Sequence, residues 1–245
     1  MEIIDAHVHI GKWGEEFYYT ENDINDTISV MHKFNINEAI CMPARLTENE
    51  ELLNDIKNHK SEFKFHFACW INPEDKHLDK FLEVHINDID VFKFHPSFQR
   101  MPVTNDKYQK YFRIAEESGK PAIIHCGRWK EVAGYNFGLA IAEKYNRLNV
   151  ILAHLGGDSP ELCIPAAREI GSKNLKNVYL GTESIREINY VRKVVEFAGY
   201  QRIIFGSDYN LCLPGVFIPN IEYLDISDSQ KEMIFSGTIK SLLNE

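Results

Sequence analysis

Short apolar runs alternate with longer amphipathic runs along the chain, and this alternation predicts a repeating strand and helix fold. Of eight short runs, most are rich in Val, Ile and Phe and are bounded by Gly, Pro or Asn, which is typical of strands. The eight runs are EIIDAHVHI from Glu2, NEAICMP from Asn37, KFHFACWI from Lys64, DVFKFHP from Asp90, PAIIHCG from Pro121, NVILAHLGG from Asn149, NVYLGTES from Asn177 and RIIFGSD from Arg202.

The longer runs between these strands carry helix signals. In TNDKYQKYFRIAEESGK, Thr104 can cap the helix, Tyr108, Phe112 and Ala115 fall on one face, and Gly119 ends it. The runs NFGLAIAEKYN, SPELCIPAAREIG and SIREINYVRKVVEFAG are read in the same way. Strand and helix therefore alternate throughout.

Repeated strand and helix units imply parallel strands joined by right-handed crossovers. Eight such units within 245 residues predict an α/β fold, the closed (β/α)8 TIM barrel. An open doubly wound sheet is the alternative. It would need a glycine-rich phosphate loop, and HIGKWGEEF after the first strand lacks the GxGxxG spacing.

Composition fits one domain over residues 1–245, because 44% of the residues are hydrophobic, 26% are charged, and no linker or repeat divides the chain. The net charge is −9 and no basic stripe is visible, so a small molecule is the expected partner rather than nucleic acid or an anionic membrane. The apolar segment LPGVFIPNIEYL is suited to cover either a barrel end or the face of a homodimer.

Signals for secretion and for disulfide bonding are absent from the sequence. Glu2 and Asp5 stand where a signal peptide would carry positive charge, and no apolar run is long enough to span a membrane. The five cysteines are scattered without a CxxC pair, which argues against a disulfide framework and a cysteine zinc cluster. We expect a cytoplasmic protein.

Polar side chains interrupt the first strand, where a plain core strand would be apolar. Because side chains alternate between the two faces of a strand, Asp5, His7 and His9 share one face. Ile4 and Ala6 share the other face, which we expect to pack against helices. The polar face should then point into the barrel, where each buried polar group needs a partner.

Similar residues end four later strands. The same parity puts Lys93 and His95 on the inner face of the fourth strand, and His125, His154 and Asp208 each end an apolar run. In a (β/α)8 barrel the catalytic groups gather at this carboxyl end. Imidazoles with one carboxylate are ligands that zinc and similar divalent ions prefer, so a metal ion is the economical partner for these groups. A buried polar network without a metal is the alternative.

Five motifs in chain order resemble the amidohydrolase superfamily. They are DAHVHIG, FKFHPSFQ, PAIIHCG, VILAHLGG and IIFGSDYN, and they run from residue 3 to about residue 210. More narrowly, they are similar to the amidohydrolase-related branch, which holds hydrolases together with non-oxidative decarboxylases of the aminocarboxymuconate-semialdehyde type.

This resemblance implies a site with one divalent metal ion, usually zinc, with manganese or iron as alternatives. The implied ligands are His7, His9, His125 and Asp208. His154 would hydrogen-bond to the metal-bound water or to a substrate oxygen. Asp208 would also shuttle protons, so that Asp208 and His154 are the implied catalytic pair.

Four further residues are assigned to substrate binding. Two-metal branches of the superfamily carry a bridging carboxylated lysine near Lys93, but the KFHP motif around it is typical of the one-metal branch. We therefore expect Lys93 and His95 to bind substrate or to support the site. Arg45 and Arg128 follow predicted strands and suggest an anionic substrate, although each could instead pair with a surface acid.

The predicted reaction is metal-assisted hydrolysis, in which activated water attacks an amide, ester or lactone carbonyl. His154 would stabilise the oxyanion, and Asp208 would pass the water proton to the leaving group. The same residues would also serve a decarboxylase, with Asp208 protonating the carbon that loses carbon dioxide. A barrel that binds a metabolite without catalysis is a third reading, which the intact set of predicted ligands disfavours.

Overall fold

The apolar runs form a curled, mostly parallel sheet of nine strands in the computed structural model, which describes residues 1–127 and 129–244. The strands are β1 (Ile3–Lys12), β2 (Glu21–Asn22), β3 (Ile36–Pro43), β4 (Lys64–Trp70), β5 (Val91–Phe94), β6 (Ala122–Ile124), β7 (Val150–Leu152), β8 (Val178–Gly181) and β9 (Ile203–Ile204). Their order is β2-β1-β3-β4-β5-β6-β7-β8-β9, and only β1 and β2 pair antiparallel within these described residues.

The segment after β9 returns to β1 and closes the sheet. Ala6 N–H donates to the Phe205 carbonyl at 3.0 Å, and Asp208 N–H donates to the His7 carbonyl at 2.9 Å. The predicted (β/α)8 barrel is therefore confirmed, with the short β2 as an addition. β6, β7 and β9 end earlier than the apolar runs suggest, so that His125, His154 and Asp208 follow these strands rather than end them.

Helices surround this barrel and cover its amino end. They are α1 (Ile24–Lys33), α2 (Asn49–Asn58), α3 (Leu78–His85), α4 (Pro96–Gln99), α5 (Asp106–Ser118), α6 (Lys130–Ala133), α7 (Tyr135–Lys144), α8 (Pro160–Lys173), α9 (Ile188–Ala198), α10 (Pro214–Glu222), α11 (Asp228–Glu232) and α12 (Thr238–Leu243). A π-helical turn, Met233–Gly237, joins α11 to α12. In the part of the chain that the structure describes, none of these helices is both long and apolar enough to cross a membrane.

Helix α5 confirms one predicted end and corrects the other. Gly119 ends it in the left-handed region, with φ +69°, as expected for a residue without a side chain. The N-cap, however, is Asn105 and not Thr104. The Asn105 side chain accepts a hydrogen bond from Lys107 N–H at 3.0 Å, so the helix begins one residue later than predicted.

A β-bulge in β1 interrupts the simple alternation predicted for that strand. Asp5 pairs with Ala39 and Val8 pairs with Cys41, so three steps along β1 match two steps along β3. Within the bulge, the buried Asp5 carboxylate accepts a hydrogen bond from His7 N–H at 3.2 Å. It also accepts from the amide of residue 207 at 2.9 Å.

The bulge corrects the predicted faces of β1. Ile4 and Ala6 pack inside the barrel rather than against the helices. Beyond the bulge, Val8 packs in the layer between sheet and helices, so that His7 and His9 face the interior at the carboxyl end. β1 thus contributes apolar side chains to the amino half of the barrel interior and two imidazoles to the carboxyl half.

The amino half of the barrel is a closed apolar core. Ile239 and Leu242 of α12 join this core and cover the end opposite to the polar groups. The strand residues in it are Ile4, Ala6, Ile40, Met42, Ala68, Val91, Ile123, Ile151 and Ile204, together with Ala153 after β7. This packing makes α12 part of the barrel rather than a loose tail.

Replacing Ile239 by alanine should therefore destabilise the whole barrel. Ile239 is fully buried, and removing such a side chain leaves a cavity that costs about 2–5 kcal/mol. Urea unfolding measures the loss, with the exposed Ser241→Ala as the matched control in the same helix. A free energy of unfolding within about 1 kcal/mol of wild type would contradict this packing role.

Candidate active site

The carboxyl ends of the strands open into a cavity of about 1060 Å³. It is lined by seven of the predicted site residues, namely His7, His9, Lys93, His95, His125, His154 and Asp208. Arg45 is not among the lining residues that the structure describes; its Nη1 lies 3.7 Å from Glu48 Oε1, with the side chain 47% exposed. The other predicted arginine, Arg128, lies outside the described residues.

Three of the predicted metal ligands converge in the floor of this cavity. His7 Nε2 lies 3.8 Å from Asp208 Oδ1, and His9 Nε2 lies 3.5 Å from the same oxygen. Candidate ligand atoms of the three residues all lie within 4.8 Å of one another, and all three residues are buried. Because zinc holds nitrogen and oxygen ligands at about 2.0–2.2 Å, one ion can reach all three after small adjustments.

The second ring nitrogens of both histidines are held in a way that suits a metal. His7 Nδ1 lies 2.9 Å from Glu183 Oε1, and His9 Nδ1 lies 3.1 Å from the Pro43 carbonyl. The Glu183 carboxylate and the Pro43 carbonyl are acceptors, so each Nδ1 carries the proton and each Nε2 keeps its lone pair. Burial lowers the pKa of His9 to about 4 and lowers that of His7 as well, which keeps both rings neutral. The donor set therefore fits a divalent ion.

Asp208 is held as an ionised carboxylate. Ser184 Oγ donates to its Oδ2 at 2.6 Å, which leaves Oδ1 directed toward the histidines. Burial alone would raise the pKa of Asp208, whereas a positive charge at His7 and the hydrogen bond from Ser184 each lower it.

Lys93 lies beside the three converging ligands. It is fully buried, and its Nζ donates to His7 Nε2 at 2.9 Å. Burial lowers the pKa of Lys93 to about 8, and the nearby carboxylates, first that of Glu183, oppose this shift. Because His7 Nε2 has one lone pair, a metal ion and Lys93 compete for it.

The remaining predicted residues form a second group of rings. His154 Nε2 lies 3.1 Å from His125 Nδ1, while His154 Nδ1 donates to the Glu183 carbonyl at 3.0 Å. The His125 ring stacks on His95, with centroids 3.8 Å apart and an interplanar angle of 13°. His125 thus lies with His95 and His154, and its role as a fourth metal ligand stays a prediction.

Aromatic rings and two arginines surround the mouth of the cavity. Trp13 Nε1 donates to Asn210 Oδ1 at 2.7 Å, and the Trp13 ring lies 4.7 Å from that of His9. The other lining aromatic residues include Phe17, Tyr18, Phe98 and Trp129, and the arginines are Arg100 and Arg186. The cavity lining thus combines apolar rings with charged side chains of both signs, since Glu16, Asp158 and Glu187 line it as well.

Comparison with known proteins agrees with this architecture. The family model described as Amidohydrolase matches residues 4–244. The chain belongs to the amidohydrolase family. No curated protein sequence matches the chain.

Solved structures of similar fold include both hydrolases and decarboxylases. An amidohydrolase from Burkholderia multivorans with bound zinc is 14% identical, with a TM-score of 0.78, and the match covers 100% of this chain and 99% of that one. A probable 2-pyrone-4,6-dicarboxylic acid hydrolase from Acinetobacter baumannii is 16% identical, with a TM-score of 0.75 and full coverage of both chains (100% each). A dihydroxybenzoic acid decarboxylase from Polaromonas sp. with bound manganese is 13% identical, with a TM-score of 0.74 and coverage of 99% and 97%.

Two residues that hold the site of this amidohydrolase were missed by sequence reasoning. Glu183 and Ser184 follow β8 and contact His7 and Asp208. Their position at the end of the apolar run NVYLG is the signal that marked the other site residues. The tripeptide TES, however, resembles an ordinary polar turn, and only the closed barrel brings it beside the first strand.

Proposed function

We propose that this amidohydrolase hydrolyses an amide, ester or lactone carbonyl of a small anionic molecule with the help of one divalent metal ion. The observation that carries the proposal is the convergence of His7 Nε2, His9 Nε2 and Asp208 Oδ1 on one point of the cavity. When bound, a divalent ion supplies a Lewis acid that polarises a carbonyl and lowers the pKa of a water molecule. Zinc is our first choice, and manganese or iron are the alternatives.

The state of Asp208 favours hydrolysis over decarboxylation. A carboxylate with a lowered pKa is a weaker base than usual, but it is ionised at neutral pH and is therefore in the form that can take a proton. In hydrolysis Asp208 takes the proton of the attacking water and then gives it to the leaving group. In decarboxylation it would have to begin in the protonated form, which the hydrogen bond from Ser184 disfavours.

His154 is proposed as the group that stabilises the oxyanion. Its Nδ1 proton is bound by the Glu183 carbonyl, so Nε2 donates to a substrate oxygen only when the ring is charged. That charge would lie beside the developing negative charge. His125 Nδ1 lies within hydrogen-bonding distance of the same nitrogen, so a substrate oxygen bound there would replace this contact.

A substrate panel tests the proposed reaction. Zinc-loaded protein is incubated with lactones, esters and amides that carry a carboxylate, and with aromatic acids, while acid release and carbon dioxide are measured separately. We expect acid release from at least one carbonyl substrate, and loss of it in the chelator-treated protein. Carbon dioxide as the sole product would overturn the hydrolase proposal in favour of the decarboxylase.

Arg100 and Arg186 are proposed to bind the anionic part of the substrate, because both line the cavity of a protein with net charge −9. Replacing either by alanine should raise KM about tenfold with little change in kcat, since an exposed charged hydrogen bond contributes about 1–2 kcal/mol. Arg45→Ala is the matched control and should leave KM within about twofold. An increase in KM for Arg45→Ala alone would show that Arg45, and neither Arg100 nor Arg186, binds the anionic part of the substrate.

A further inference from the structure

We propose that Glu183 is a positioning residue that fixes the tautomer of His7 and thereby sets the affinity of the site for its metal, an inference that rests on the proposed metal-dependent function. Glu183 follows β8, on the far side of β9 from His7 in β1. The barrel closure described above brings the two side chains together.

The contact between these residues is buried and specific. Glu183 Oε1 lies 2.9 Å from His7 Nδ1, and each side chain is only 2% exposed. A buried carboxylate is costly unless it accepts hydrogen bonds, so this one requires a proton on Nδ1. With that proton on Nδ1, neutral His7 has its lone pair on Nε2, the atom that faces Asp208. The opposite tautomer would place a proton where the metal ligand must be.

Glu183 also anchors His154, so one residue orders two rings of the site. Its Oε1 accepts from His154 N–H at 3.2 Å, and its own carbonyl accepts from His154 Nδ1 at 3.0 Å. These bonds fix the backbone of Glu183 to the end of β7, and the carboxylate therefore has a defined approach to His7. Because both its backbone carbonyl and its carboxylate accept hydrogen bonds, Glu183 is suited to orient His7 as a metal ligand.

Two glycines leave the space that the carboxylate fills. A Cβ atom at Gly181 would lie 2.2 Å from Glu183 Oε2, and one at Gly206 would lie 3.1 Å from the same oxygen. The Gly206 Cβ would also lie 3.0 Å from His7 Cβ. The end of β8 and the segment after β9 thus carry no side chain at these two points, which leaves room for the carboxylate in a fixed position.

The charge of Glu183 adds to its geometric role. Its carboxylate is the leading negative group near Lys93, and it contacts Nδ1 of His7, across the ring from the Nε2 atom that faces Asp208. A divalent cation at that point gains from a carboxylate on the far side of the imidazole ring, because the carboxylate makes the ring a stronger electron donor.

Three variants test the inference through metal affinity and through the His7 tautomer. Glu183→Ala removes charge and acceptor, Glu183→Gln removes the charge but keeps an acceptor oxygen, and Glu187→Gln removes the same charge from an exposed position in the same loop. Zinc affinity is measured by competition with a chromophoric chelator. The tautomer is read from 15N NMR of the metal-free protein, with the His7 signals identified by their loss in His7→Ala.

We expect Glu183→Ala to weaken zinc binding about 10- to 100-fold, as removal of a hydrogen-bond partner of a metal-bound histidine does. Its His7 should lose the exclusive Nδ1–H form. Glu183→Gln should keep that form and bind zinc with intermediate affinity, and Glu187→Gln should match wild type within about twofold. Zinc affinity in Glu183→Ala equal to wild type would overturn the inference, and so would a weakened affinity with an unchanged His7 tautomer.

The design separates this inference from the proposed function. If the wild-type protein binds zinc but converts no substrate, the proposed hydrolysis fails while both measurements still decide the role of Glu183. If it binds no divalent ion, the metal-dependent function and the affinity part of this inference fail together. The NMR spectrum then still reports whether Glu183 fixes the His7 tautomer.

Discussion

Replacing His7 and His9 together by alanine should reduce the bound metal from about one ion per chain to a trace. The double variant removes two of the three residues whose ligand atoms converge, and leaves Asp208 as the sole ligand of that group. A single carboxylate cannot hold zinc against water, because structural and catalytic zinc sites need three or four protein ligands. Turnover of any substrate found in the panel should disappear with the metal.

Elemental analysis checks this expectation on protein purified without chelator and without a metal-affinity column. The matched control is the double variant His32→Ala, His77→Ala, which also loses two imidazoles, both of them exposed and outside the cavity. It should keep the wild-type metal content. Thermal unfolding of all three proteins shows whether the site variant stays folded.

The metal content of the wild-type protein itself distinguishes between the alternative interpretations of the site. No metal after reconstitution would mean that His7 and His9 are held by a polar network alone, with Lys93 in place of the ion. About two ions per chain would indicate a second site bridged by a carboxylated Lys93. In the structure, Lys93 is an unmodified amine whose Nζ donates a hydrogen bond to His7 Nε2. Either result would change the proposed ligand set.

The barrel could be predicted from sequence because its determinants are local. Each of the eight predicted strands is an apolar run near turn residues, and the parity of the fourth predicted strand is correct. Phe92 and Phe94 pack toward the helices, while Lys93 and His95 line the cavity. Short-range alternation was enough to place these side chains.

The parity of the first strand could not be predicted, because the bulge depends on how β1 pairs with β3. Nothing in DAHVHIG marks an extra residue, and the polar Asp5 looked like a member of the same face as His7 and His9. The structure instead uses Asp5 to hold the backbone through the bulge. A tertiary pairing therefore decided which apolar residues fill the barrel.

The arginines show the same limit in loops. Arg45 and Arg128 follow predicted strands, yet the direction of a loop side chain depends on what the loop packs against. Arg45 lies beside Glu48, whereas Arg100 and Arg186 line the cavity. A position after a strand predicts at which end of the barrel an arginine lies. It does not predict whether the side chain faces the cavity.

Replacing Asp208 by asparagine should lower kcat by about 100- to 10,000-fold, the range expected for loss of a positioned general base. Asparagine keeps the size of the side chain and an oxygen at Oδ1, so a metal ion can still bind, although more weakly. It cannot take a proton from water at neutral pH. The wild-type carboxylate can, because its lowered pKa keeps it ionised there.

The measurement is kcat at a metal concentration that saturates the variant, with bound metal determined in the same samples. Ser184→Ala is the informative comparison, because it removes the hydrogen bond to Oδ2 but leaves the carboxylate. It should cost much less than Asp208→Asn. A fully metal-loaded Asp208→Asn protein within about tenfold of wild-type kcat would exclude Asp208 as the proton acceptor. Intact ligand affinity in a wild-type protein that turns over nothing would instead indicate a barrel that binds a metabolite without converting it.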